Sequence, residues 1–179
     1  MGTIVEHHPR LEARSQPDHQ LQAWMDAGLD AMERIGKDML RLDIAVPEDE
    51  AAEACRAEAD RGARILVRSQ HPSLMSVEVG VWARNDAAIE LTCKVLRVTE
   101  VEPSHDDIND VLREMVNWVV GFAKGSLSER GTNLDTGLPQ TISKQDMTQQ
   151  YTGGIPLKVC TVVIDETPVW LFVRPAQED

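Results

Sequence analysis

The 179-residue sequence is poor in positive charge and in cysteine, and it contains no long hydrophobic run. Lys and Arg number 18 against 30 Asp and Glu, for a formal net charge of −12. Nucleic acid and anionic membrane surfaces are gripped by clustered Lys and Arg, so neither is expected as a partner. Cys55, Cys93 and Cys160 are far apart and form no Cys-x-x-Cys pair, which argues against a zinc knuckle and a disulfide framework. Reduced structural thiols in a cytosolic protein are expected. The longest apolar run, Trp118 to Ala123, is far too short to cross a bilayer. Met1 to Arg10 holds Glu6, His7, His8 and Pro9 where a signal peptide needs an apolar stretch. A cytoplasmic location without a membrane partner is therefore expected. No His/Cys/Asp cluster has ligand spacing, so the chain is expected to carry no metal or other cofactor of its own. A P-loop, a Gly-rich dinucleotide fingerprint, a triad signature and an internal repeat are all missing.

What is present suffices for one domain with a hydrophobic core. Residues 1–19 are polar and Pro-containing and read as a flexible tail, leaving 20–175 as the domain. From Leu21 a helical period sets in: Leu21, Met25, Gly28, Met32, Ile35 and Met39 form one apolar stripe. Glu48 to Asp60, rich in Ala and Glu, reads as either an exposed helix or a linker. Ala63 to Val67 is a short apolar strand. Met75, Val77, Val79 and Val81 alternate with Ser76, Glu78 and Gly80, the period of a half-buried strand. Arg84-Asn85-Asp86 can start a helix with the stripe Ala88, Leu91, Val95 and Val98. Leu138 to Ile142 reads as a short strand. Leu157 to Ile164 and Val169 to Val173 read as a hairpin turning at Asp165 to Pro168. The order predicts an α+β fold: a mainly antiparallel sheet with long helices packed on one face.

Pro103-Ser104 opens the most informative segment. Ser104 and Asp107 fit a capping box for a long helix reaching about Arg130, which Gly131 can close. Steps of three and four residues place Asp110, Glu114, Asn117 and Gly121 on one face of that helix. Ile108, Val111, Leu112, Met115, Val119 and Phe122 would pack on the sheet. Gly121 costs a helix about 1 kcal/mol relative to Ala and lets another surface approach the backbone.

Asp110-x-x-x-Glu114-x-x-Asn117, followed by Pro139, resembles the signature of the CheC/CheX/FliY chemotaxis phosphatases. The Pro139 spacing is one residue shorter than the usual pattern, a departure within a loop. The resemblance covers residues 21–175 in element order. The first helix offers Glu33-Arg34-Ile35-Gly36, which lacks the Asn, so one site per chain resembles CheX, whose members are typically homodimers. The resemblance implies a phosphatase acting on the phosphoaspartate of a CheY-like response regulator in chemotaxis or related two-component signalling. Asn117 and Glu114 would be catalytic, with Asp110, Gly121 and Pro139 supporting them. Mg²⁺ would come from the regulator. A receiver-binding module of the same fold without hydrolysis is the alternative.

The residues alone leave other readings open. Asn117 sits in the run Met115 to Ala123 and could be a hydrogen-bonded core amide. Glu114 and Asp110 could be ordinary solvated charges. Trp118 fits the core better than an interface.

Overall fold

Two apolar periods shape the chain, one of two residues for strands and one near 3.6 for helices, and both converge on a single sheet. The computed structural model describes residues 17–47, 55, 57–71, 74–99, 102–128, 133–151 and 155–177. Helix α1 spans Pro17–Arg34 and runs into a π-helical turn, Ile35–Leu40. A two-residue strand β1, Ile44–Ala45, follows. Strands β2, Arg61–Ser69, and β3, Val77–Ala83, lead into helix α2, Asn85–Leu96. The long helix α3 covers His105–Leu127. Short strands β4, Leu134–Thr136, and β5, Gln140–Ser143, precede the small helix α4, Lys144–Gln150. The hairpin β6, Lys158–Ile164, and β7, Thr167–Pro175, completes the sheet. No helix among the described residues is long and apolar enough to cross a membrane.

All pairings are antiparallel, in the order β1-β6-β7-β3-β2-β4, with β5 also on β2. The α+β expectation therefore holds. Helices α1, α2 and α3 pack on one face. There Ile65, Val79, Val81 and Leu171 meet Trp24, Met32, Leu112 and Met115 in the main core. The β6–β7 turn places Asp165 and Glu166 at positive φ, the backbone a two-residue hairpin needs.

Several local expectations shift. Residues 17–19, read as tail, form the first turn of α1, while residues 1–16 and most of Glu48 to Asp60 lie outside the described residues. The stripe Leu21 to Ile35 is buried, but Met39 is exposed, because the π-helical turn changes the rotation per residue. Val98 lies beyond α2, which ends as Arg97 turns left-handed. Helix α3 ends at Leu127 with Ser128 as its C-cap; Gly131 lies outside the described residues.

The main correction concerns β3, which is buried at all seven positions rather than half-buried. Its second face carries Glu78, Gly80 and Trp82. A second cluster of Trp82, Phe172, Tyr151, Met147, Ile142 and Trp170 covers that face. Trp82 stacks on Phe172 at 4.5 Å between centroids. Gly80 has to be glycine here, since a Cβ would sit 2.3 Å from the Phe172 ring. Glu78 is the acceptor of a buried pair: Arg174 donates to both its oxygens at 3.1 and 3.0 Å, and Arg64 donates at 3.0 Å. The Tyr151 hydroxyl also donates to Glu78. Burial, helped by the Glu78 carboxylate, pushes that phenol above its ordinary range.

The edge beside β2 is interrupted. Val67 opposes Thr136 on β4, whereas Arg64 opposes Gln140 on β5, so the register slips by one residue across Gly137-Leu138-Pro139. That is a bulge, and Gly137 N–H still reaches the Leu66 carbonyl at 2.8 Å. Pro139 has no N–H to give, which suits this position. The strand expected over Leu138 to Ile142 is thus Gln140–Ser143.

Candidate functional site

Helix α3 is built to start sharply and to stay rigid. The Ser104 N–H donates to Asp107 Oδ2 at 2.9 Å, and the Asp107 N–H donates to Ser104 Oγ at 3.2 Å. This is the expected capping box. Hydrogen bonds from the Ser104 hydroxyl and backbone hold the Asp107 carboxyl below its usual range. Ile108, Val111, Leu112, Met115, Val116, Val119, Val120 and Ala123 are buried against the sheet and its neighbours. Helix α1 packs alongside, and Arg34 places its guanidinium 4.8 Å from the Phe122 ring centre.

The opposite side of α3 is a continuous exposed stripe: Asp107, Asp110, Glu114, Asn117, Gly121 and Gly125. Asn117 is therefore not a core amide. Its apolar neighbours Met115 and Val116 point inward, while Trp118 is partly buried against the core. Neither Glu114 nor Asn117 makes a side-chain hydrogen bond or ion pair with any described residue. Asp110 differs, since it pairs with Arg113 one turn along. A Cβ added at Gly121 or Gly125 would meet nothing within 4 Å. Gly125 was not singled out from the sequence; its spacing of four from Gly121 on the same face was the available signal.

The structure thus brings Asp110, Glu114, Asn117 and Gly121 onto one rigid ridge. Pro139 belongs to another element, the bulge on the strand edge that packs beside α3. An amide and a carboxylate one turn apart, both unpaired, can offer a neutral donor–acceptor for water and a separate anion for a cation. No group of three or more His, Cys, Asp or Glu among the described residues is placed to hold a metal ion.

The fold and the ridge together define a class. The chain superposes on chemotaxis protein CheX from Vibrio vulnificus with a TM-score of 0.63 at 15% identity, covering 84% of this chain and 95% of that one. It superposes equally, at 0.63 and 13% identity, on CheX from Borrelia burgdorferi, solved in complex with CheY, BeF₃ and Mg²⁺; 87% of this chain and 98% of that chain are covered. Thermotoga maritima FliY gives 0.57 at 15% identity, with 90% and 92% covered. At such identities these likenesses establish the fold. No curated protein matches the sequence. The family described as chemotaxis phosphatase CheX matches residues 73–162, which hold the whole of α3 and Pro139, and the chain belongs to that family.

Proposed function

We propose that this chain hydrolyses the phosphoaspartate of a CheY-like receiver domain, with Asn117 and Glu114 as the catalytic pair. The observation that carries this reading is the exposed, unpaired state of both side chains on one rigid helix, beside a glycine whose Cβ position is open. The CheX–CheY complex from Borrelia burgdorferi supports the choice of partner.

The receiver contributes its phosphoaspartate, a Lys and Mg²⁺, which together supply most of the electrostatics for phosphoryl transfer. It lacks a held water. An amide donates and accepts hydrogen bonds without a protonation step, so Asn117 can hold water in line with phosphorus. The water oxygen then bonds to phosphorus as the acyl phosphate P–O bond breaks. The aspartate leaves as carboxylate, and the water proton ends on the phosphate. Glu114 would repel the phosphoryl oxygens; its role is to pair with the receiver Lys. Asp110, held by Arg113, flanks the pair, and Gly121 admits the receiver backbone to the ridge. Pro139 supports the helix from the neighbouring edge.

The test is to incubate the protein with receivers carrying labelled phosphoaspartate and to follow the label. Faster loss than from the receiver alone supports the reading. Binding without faster loss would identify a docking module instead. We also propose a cytoplasmic homodimer. The single signature helix resembles CheX, whose members are typically homodimers, and this supports the dimer. Light scattering should then give about twice the 19.9 kDa chain mass, and a clean monomer at micromolar concentration would contradict it.

A further inference from the structure

The sheet face turned away from α3 carries a second concave site. Strand β2 points Arg64, Leu66 and Arg68 to that side, and β3 and β7 add Glu78 and Arg174. These residues, with the β4–β5 bulge as one wall, line a cavity of about 600 Å³, within the range of small-ligand sites. Three guanidiniums share its wall with one carboxylate. That local excess of positive charge lies in a chain whose formal net charge is −12.

The three arginines are not equivalent. Arg174 is 2% exposed and committed: its Nε and one terminal nitrogen hold Glu78, and the other donates to the Gln150 carbonyl at 2.7 Å. Arg64 is shared between Glu78 at 3.0 Å and Gln150 Oε1 at 2.8 Å. Hydrogen bonds from the Ser143 hydroxyl and backbone hold the Asp146 carboxyl low, with the Arg64 charge adding less, and Asp146 is not part of the wall. Arg68 is exposed and pairs with no described carboxylate. Asp135, opposite it in the ladder, accepts from Gln70 instead. Two pleats, about 13 Å, separate Arg64 from Arg68, with Leu66 between them. Gly137 stands opposite Leu66, and the next bulge residue, Leu138, also lines the cavity and is 85% exposed. Gln140, Gln150 and Gln177 complete the wall with amides that can both donate and accept.

An unpaired guanidinium at one end, two leucines in the lining and amides around them match a phosphate joined to a flat heterocycle. We propose that this cavity binds a nucleotide, with its phosphate on Arg68, its base against Leu66 and Leu138, and the glutamines on the base edges. The site is on the opposite side of the sheet from Asn117 and does not depend on the phosphatase reading.

Isothermal titration of the full chain with adenosine and guanosine monophosphates, the two nucleosides and inorganic phosphate tests this. One nucleotide should bind with a Kd below about 1 mM. Its nucleoside and inorganic phosphate should each bind at least about tenfold more weakly, because each lacks half of the contacts. Arg68→Gln should weaken the nucleotide by at least about tenfold and leave the nucleoside unchanged. Leu138→Ser should weaken the nucleotide and leave inorganic phosphate unchanged. Both positions are exposed, so both variants should fold as wild type by circular dichroism. Failure of both nucleotides to saturate, inorganic phosphate binding as tightly as the nucleotide, or an Arg68→Gln protein that binds normally would each overturn the proposal.

Discussion

Replacing Asn117 by Ala should raise stability while lowering turnover, and the opposite signs make the experiment decisive. Asn117 is exposed and makes no hydrogen bond with a described residue, so no buried partner is orphaned by its loss. What remains is helix propensity, in which Ala exceeds residues such as Asn by up to about 0.7 kcal/mol. For a chain of this length 1 kcal/mol moves Tm by about 2–4 °C, so the variant should melt up to about 3 °C higher. Catalysis should move the other way. An amide that orients water acts chiefly as the transition state forms, so its removal lowers turnover more than binding. Loss of a comparable orienting donor costs about 2.7–4 kcal/mol, or about 10²–10³ in rate. Single-turnover loss of label from a phosphorylated receiver, measured beside a thermal melt, reads both effects. Asn117→Asp keeps the shape but puts a negative charge near the phosphoryl oxygens, so it should hydrolyse no faster than Ala. A melt several degrees below wild type, or wild-type hydrolysis by the Ala variant, would refute the argument.

Glu114→Ala should lose about 2–5 kcal/mol of receiver affinity if Glu114 pairs with the receiver Lys, with little change in Tm, as titration calorimetry with a BeF₃-loaded receiver would show. Gly121→Ala should stabilise the helix by about 0.5–1 kcal/mol, since the added Cβ meets nothing within 4 Å. Gly121→Trp should fold equally well yet dock poorly; undiminished receiver binding would remove Gly121 from the interface. Glu78→Ala should cost about 3–5 kcal/mol in urea unfolding, because it leaves Arg174 buried without its anion. A loss below about 1 kcal/mol would mean that water reaches Arg174 in the variant.

Much of this was legible in the sequence because its signals are local. The Ser104–Asp107 box and the three-four spacing after it locate both the long helix and its polar ridge. The alternation from Met75 to Val81 marks a strand, but it cannot report what lies on the far side. Glu78 reads as solvent-facing until Arg174, 96 residues away, is seen to bury it. Helix α4 has the same kind of signal as α3, with Ser143 and Asp146 capping each other at 2.9 and 3.2 Å. It is only seven residues long, and the period needed to recognise a helix hardly develops over that span. The location of Pro139 depends on a one-residue slip against β2, a property of two strands and not of either alone.

That slip has a bearing on how the sheet ends. A strand edge with an unbroken row of N–H and C=O groups invites foreign strands to add to it, the first step towards uncontrolled aggregation. Here the row is cut into pieces of three and four residues by a bulge whose proline can donate nothing. An incoming strand would lose register at Gly137 whichever side it started from. The bulge thus guards this border of the sheet with its own backbone. Pro139 therefore has a reason to be present that is independent of any chemistry on α3.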